Sequence, residues 1–253
     1  LPDDGVKPLA IDLFCGLGGW TDGLLLEGYD VIGYDIERHE YGDMHYPGTL
    51  VLQDVRSIHG ADLKDAALIV ASPPCQEYSY MAMPWSKAKA KAAAIRADDT
   101  GAKLAALNEL FNECFRLQRE ASFAAGHHIP MVVENVRGAQ PWVGRARWSF
   151  GSFYLWGDVP ALMPMTAARK LQGFRFDGSG RSFQSESVEQ MGIKQGGDWF
   201  NASQPSMSRL YGSKSPARKA ASAKIAMIPL PLSRHIGATY FPAPMAATAG
   251  VFQ

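Results

Sequence analysis

Five short apolar runs, each ending in a polar or glycine-rich cluster, constrain what this chain can fold into more than any other feature. They occupy residues 9–14, 31–36, 49–55, 68–72 and 131–136, with helix-compatible stretches between them. Short β-forming runs alternating with helices imply a doubly wound α/β sheet, in which ligands gather at the carboxyl ends of the strands. The residues that end the runs are therefore the ones to read for chemistry. Between the last two runs, Leu104, Leu107, Leu110, Phe111, Cys114, Phe115 and Leu117 recur at helical spacing, which predicts one helix over residues 103–124. Residues 149–156 read as one further strand. From 160 to 215 Gly, Ser, Gln and Met replace periodicity, so a small irregular lobe is expected there. Order returns from 215 to 240, where Pro229 separates two helical stretches, and the Ala/Pro/Gly-rich tail 242–253 is expected to be flexible.

At 253 residues and 47% hydrophobic, the chain can build one principal core. Its 25 Lys+Arg balance 25 Asp+Glu, so any polyanion must be held by local basic patches rather than by the field of the whole protein. Cys15, Cys75 and Cys114 are odd in number and far apart, which fits reduced thiols better than a disulfide framework. No apolar run approaches the roughly 18–20 residues of a membrane span, and Leu1-Pro2-Asp3-Asp4-Gly5 lacks a secretory pattern. A cytoplasmic location and no membrane partner are expected. The histidines, including His127 and His128, form no ligand set, and no metal is expected.

The first run passes into Cys15-Gly16-Leu17-Gly18-Gly19, a turn whose glycines let a ligand approach the backbone. Asp35, ending the second run, is placed to take both hydroxyls of a ribose. Asp54, ending the third, suits an exocyclic amine. Together they read as an adenosine pocket. Thr21 stands where a dinucleotide fingerprint has its third glycine, so an adenosine-bearing cofactor without a pyrophosphate fits better than a nicotinamide dinucleotide. Each feature alone is also compatible with a glycine turn that merely starts a helix or an Asp that merely caps one.

The fourth run delivers Ser72-Pro73-Pro74-Cys75-Gln76, where two prolines fix the backbone around a thiol just beyond the sheet. A structural cysteine usually lies among apolar neighbours, as Cys114 does, whereas one in a rigid polar turn is suited to react. The fifth run ends in Glu134-Asn135-Val136, and a carboxyl following an apolar strand can hold a raised pKa and donate a proton.

These segments, in this order, resemble the cytosine-5 methyltransferase family. Asp12-Leu13-Phe14-Cys15-Gly16-Leu17-Gly18-Gly19 is similar to its first motif, Pro74-Cys75-Gln76 to its catalytic motif, and Glu134-Asn135-Val136 to its Glu-Asn-Val motif. Arg145 and Arg147 resemble the later two-arginine motif, and Ile228-Pro229-Leu230-Pro231 begins a segment similar to the closing motif. The resemblance covers residues 9–156 and 215–237. It implies a Rossmann-like methyltransferase sheet with a small irregular second lobe and S-adenosyl-L-methionine as cofactor. Phe14, Gly16, Gly18, Gly19, Asp35, Ile36, Asp54, Val55 and Pro74 would surround that cofactor. Cys75, Glu134, Arg145 and Arg147 would form the catalytic group, with Gln76, Ser79 and Asn135 at the substrate. The chain departs from the family where Val143 replaces a glutamine, where no Gly-Asn precedes Ile228, and where the recognition region is short.

The expected reaction is methyl transfer to carbon 5 of a flipped-out cytosine in double-stranded DNA, as in restriction–modification, through a Cys75 adduct at carbon 6. The same chemistry on RNA and a non-catalytic binding or regulatory role remain the alternatives. Residues 78–102 are expected to form a mobile loop closing over the base, with Lys87, Lys89 and Lys91 on phosphates. The expected organisation is a catalytic domain of residues 1–156 and 215–241, a recognition lobe of 157–214, and a monomer working in a prokaryotic cell or phage-infected host.

Overall fold

A computed structural model describes residues 6–79, 85–164 and 216–243. Each of the five apolar runs contains a strand: β1 (Leu9–Leu13), β2 (Asp30–Asp35), β3 (Thr49–Leu52), β4 (Ala66–Ala71) and β5 (Met131–Asn135). These strands are mutually parallel where they pair, and two more, β6 (Trp148–Phe150) and β7 (Phe153–Gly157), complete a sheet of order β3-β2-β1-β4-β5-β7-β6. β7 runs antiparallel to both β5 and β6. The order reverses between β1 and β4, opening a crevice at the carboxyl ends of the parallel strands. The helices are α1 (Gly19–Leu26), α2 (Trp85–Arg96), α3 (Ala102–Leu107), α4 (Glu109–Ala125), α5 (Gln140–Val143), α6 (Pro216–Ala226) and α7 (Leu230–Tyr240).

Alternation along the strands divides the core in two. Ile11, Leu13, Ile69, Ala71, Met131 and Val133 face Phe111, Cys114, Leu117 and Ala121 of α4. Ala10, Val31, Leu68, Val70 and Val132 face Trp20 and Leu24 of α1 together with Leu232 and Ile236 of α7. Each fully buried aliphatic or aromatic side chain contributes about 1.5–3 kcal/mol, so both faces must be covered for the sheet to persist. The α1–α7 contact is close because Gly23 has no side chain. A Cβ there would lie 2.1 Å from Ser233 Oγ and 2.6 Å from the Arg234 nitrogen. Tyr29 donates to the Gly237 carbonyl at 2.9 Å, and Phe241 meets the Tyr29 ring edge-on at 5.2 Å, tying down the C-terminal end of the pair.

Three local expectations are corrected. The single helix expected over 103–124 is broken into α3 and α4 at Asn108, whose φ of −96° and ψ of 3° leave the helical region. Its buried amide compensates, receiving a hydrogen bond from Tyr78 Oη at 3.0 Å and donating to the Trp142 carbonyl at 2.8 Å. The single strand expected over 149–156 is the β6–β7 hairpin, turning at Gly151, whose φ of 59° suits a residue without a Cβ. Within the expected mobile loop, Trp85–Arg96 is a helix. Its alanines favour that conformation, Ala88 and Ile95 are buried, and Arg96 stacks over the Trp142 ring at 5.4 Å.

The expected recognition lobe lies mostly outside the described residues, as does the tail from 244. Its first residues pack with the sheet: Met163 is buried in the α1–α7 core and His235 Nε2 lies 2.9 Å from the Leu162 carbonyl. Pro229 is extended and separates α6 from α7, while Pro231 sits in the first turn of α7, where no backbone donor is needed. Among the described residues no helix is long and apolar enough to cross a membrane.

Candidate active site

β1 leads into the glycine turn through Phe14, whose φ of 58° makes it the one non-glycine residue with positive φ among those described. Such backbone costs on the order of 1–3 kcal/mol and persists only where its surroundings enforce it. The next turn residues supply that enforcement. The Cys15 nitrogen donates to the Tyr34 carbonyl at 3.2 Å, and the Gly16 nitrogen donates to Asp35 Oδ2 at 3.0 Å. Gly16, at φ 52°, has nothing within 4 Å of where a Cβ would be, so the turn opens onto free space there. Gly18 and Gly19 answer a different need. A Cβ on Gly18 would lie 2.5 Å from Pro47 and one on Gly19 2.3 Å from the Ile228 nitrogen, so these glycines admit neighbouring segments against the turn.

The other Asp35 oxygen receives the Glu37 nitrogen at 3.2 Å, with His39 Nε2 3.6 Å away. Ile36 beside it is 74% exposed, an apolar surface available to a flat ligand. Asp54 caps a 3-10 turn and is gripped by Arg56, whose Nη2 approaches Oδ2 to 2.6 Å and holds the carboxyl below its usual range. Val55, expected beside the cofactor, is buried in the α4 core, so it can offer a ligand only its backbone. Pro74 lines a cavity of about 490 Å³ with Glu77, Tyr78, Ile95, Leu107 and Leu110.

Below the turn lies a polar group to which the sequence reading gave no role, although it opens the first motif. Asp12 is 1% exposed and accepts from Thr21 Oγ1 at 2.7 Å. That bond takes Thr21's only proton, so Tyr46, 2.7 Å away, donates to Thr21. Asp12 Oδ1 has no hydrogen-bond partner, and burial raises the carboxyl to about 8. Protonation at neutral pH relieves the cost of an isolated buried charge.

At the neighbouring strand ends, the structure brings Cys75 and Glu134 together. Cys75 is the one half-buried cysteine, Cys15 and Cys114 being buried. Its carbonyl accepts from the nitrogens of Tyr78 at 3.0 Å and Ser79 at 2.9 Å, a turn anchored by the Tyr78 hydroxyl, whose one proton is shared between the Leu107 carbonyl at 3.1 Å and Asn108 Oδ1 at 3.0 Å. Burial pushes the Cys75 thiol up, and the Glu134 charge pushes it further. Glu134 is 9% exposed and burial raises it to about 8, against the pull of a hydrogen bond from Ser72. At neutral pH the pair is therefore a thiol beside a protonated carboxyl.

The remaining expected residues divide between the edge of this site and its scaffold. Gln76 is exposed, and Ser79 is half-buried. Asn135, expected at the substrate, spends its amide on the protein: Nδ2 donates to the Pro73 carbonyl at 2.9 Å and Oδ1 accepts from the Val136 nitrogen at 2.8 Å. It holds the end of β5 to the cysteine turn. Lys87 and Lys89 lie on the exposed side of α2, while Lys91 reaches back to Glu77. Arg145 and Arg147 are exposed before β6, and the Arg147 charge acts on Tyr240, whose hydroxyl donates to the Asp158 carbonyl. Among the described residues no cluster of three or more His, Cys, Asp or Glu could hold a metal ion.

Glycine turn, cysteine turn and buried carboxyl lie within one segment order that can be compared with known proteins. Residues 9–96 match the model of the C-5 cytosine-specific DNA methylase family. That stretch contains the glycine turn, Asp35, Asp54 and Cys75; Glu134 and both arginines lie beyond it. No curated protein matches the chain. Among solved structures, similarity extends to a protein described as a DNA modification methyltransferase encoded within a prophage (E. coli), at 24% identity over 53% of this chain and 33% of that one, with a TM-score of 0.35. S. pombe Dnmt2 methyltransferase is similar at 14% identity over 54% of this chain and 37% of that one, with a TM-score of 0.33. Entamoeba histolytica methyltransferase EhMeth is similar at 18% identity over 54% of this chain and 40% of that one, with a TM-score of 0.35. The chain thus spans 33 to 40% of the length of these solved proteins.

Proposed function

We propose that this chain methylates carbon 5 of cytosine in DNA, using S-adenosyl-L-methionine and a covalent Cys75 adduct. The observation that carries the reading is the pairing of a half-buried cysteine with a buried Glu134 at adjacent strand ends, one strand from the glycine turn. The match of residues 9–96 to the C-5 cytosine-specific DNA methylase model is consistent with it.

The residues at the strand ends are of the kinds the cofactor needs. Gly16 leaves open space, the Asp35 carboxylate bonded to its nitrogen suits a ribose, the exposed Ile36 suits a base, and Asp54 is assigned to the base's amine. S-adenosylmethionine, when bound, supplies the electrophilic methyl group. Carbon 5 of cytosine is a weak nucleophile, so Cys75 must first add to carbon 6 after losing its proton to water. Glu134 serves this step twice. Its proton is available to N3 as negative charge develops there, and while it is neutral it no longer opposes ionisation of Cys75. Arg145 and Arg147 are assigned to offset charge at the base carbonyl; the carbon-5 proton then leaves to water, N3 returns its proton to Glu134, and expulsion of Cys75 restores the ring.

Carbon 6 is inaccessible inside a duplex, so the cytosine must leave the stack at a cost of a few kcal/mol. Lys87 and Lys89 on α2 are proposed to help repay it through phosphate contacts, and residues 157–214 to read the target.

Incubation with methyl-labelled cofactor is expected to label cytosine in duplex DNA and not in total RNA. Label confined to RNA would reassign the substrate, and none in either would reject the transferase reading. Asp35→Ala is expected to weaken cofactor binding by about 10-fold or more, since a charge-assisted hydrogen bond of about 1.5–3 kcal/mol is lost. Calorimetry showing unchanged affinity would remove Asp35 from the cofactor site.

A further inference from the structure

We propose that Trp20 and Ser72 are positioning residues for Glu134, the Trp20 indole holding the Ser72 hydroxyl so that it donates to the Glu134 carboxyl group. The inference rests on the reading of Glu134 as the proton donor and adds the device that aims it. Trp20 is 2% exposed in the first turn of α1, and its Nε1 donates to Ser72 Oγ at 3.0 Å. β4 and β5 pair with Ala71 beside Val133, so the next residues along, Ser72 and Glu134, are neighbours across the two strand ends. Two residues back, Val70 and Val132 both pack in the same core as Trp20, which puts Ser72 and Glu134 on the α1 face of the sheet.

A serine hydroxyl has one proton and two lone pairs. With the indole N–H on a lone pair, the hydroxyl rotor is held and its proton turns to the adjacent carboxyl oxygen. That oxygen is then an acceptor, which leaves the other to carry the proton that the reaction uses. The bond to Ser72 also stabilises the charged carboxylate and so limits the rise that burial imposes on Glu134. Because Trp20 directly follows the turn ending in Gly19, the cofactor turn and the proton donor share one hydrogen-bonded path.

The test uses the full chain with 13C-carboxyl-labelled glutamate, the Glu134 signal being identified by its absence in Glu134→Gln. Ser72→Ala is expected to move the Glu134 midpoint upward by about one pH unit, the size of a lost hydrogen bond to a charged group. Ser72→Thr keeps the hydroxyl and is expected to keep the wild-type midpoint. Trp20→Phe keeps the bulk, frees the rotor, and is expected to give a smaller upward shift. In Ser72→Ala kcat at pH 7 is expected to fall roughly 10-fold with KM for DNA unchanged, because a weaker, unaimed acid donates less well. A midpoint unmoved in Ser72→Ala, or moved equally in Ser72→Thr, overturns the proposal. If Glu134→Gln retains wild-type kcat, the reading of Glu134 as donor fails, while the titration still decides whether Ser72 and Trp20 aim it.

Discussion

Replacing Cys75 by serine is expected to lower methyl transfer by at least roughly 10³-fold while leaving cofactor affinity unchanged. The geometry argues for so large an effect. Cys75 already bears one obstacle to ionisation at neutral pH, its burial, and a thiol overcomes it because its intrinsic acidity lies within reach of neutral pH. A serine hydroxyl in the same turn faces the same obstacle from a far higher starting point and supplies almost no nucleophilic anion. The backbone should not change, since the Cys75 carbonyl, and not its sulfur, receives the Tyr78 and Ser79 nitrogens. Label incorporation read against calorimetric cofactor binding separates the two effects. A substrate carrying 5-fluorocytosine should trap the wild type covalently and leave the serine variant free. Methylation by Cys75→Ser within about tenfold of wild type would exclude covalent catalysis by this residue.

Gly23→Val is expected to cost about 3 kcal/mol or more in stability, a fall in Tm of about 6–12 °C for a chain of this size. Its Cβ would meet Ser233 Oγ at 2.1 Å and the Arg234 nitrogen at 2.6 Å, and the second of these is backbone that cannot rotate away. Relief requires α7 to move off α1, which also loosens Leu232 and Ile236 in the core below Trp20. Glycine normally weakens a helix by about 1 kcal/mol relative to Ala, so substitution in an unconstrained helix would stabilise it. The predicted sign therefore reports the contact and not the propensity. Thermal unfolding followed by circular dichroism measures it, and an unchanged Tm would mean that α7 does not dock on Gly23.

What could be read from residue order alone was what depends on near neighbours. A parallel strand buried on both faces is written as a short apolar run, and its carboxyl end is marked by the polar residue that stops it. The glycine turn, Asp35, Asp54, Cys75 and Glu134 were legible for that reason. Residues whose role comes from a distant partner were not. Asn108 looked like one more position in a continuous helix until Tyr78 and Trp142 claimed its amide. Asn135 looked like a substrate ligand until Pro73 did the same. Val55 followed Asp54 into the expected cofactor shell, yet the α4 core takes its side chain.

The sequence by itself determined the α/β class, the places where strands end, and the residue types that stand at those ends, because periodicity and turn composition act over a few residues. Only the tertiary structure decided which ends become neighbours. Ser72 and Glu134 are 62 positions apart and meet because β4 pairs with β5 in one register. Gly23 and Ser233 are 210 positions apart and meet because each face of the sheet must be covered by whichever apolar helix can reach it. Strand pairing and helix docking are selected by packing over the whole core, and no local pattern of residues encodes that sum.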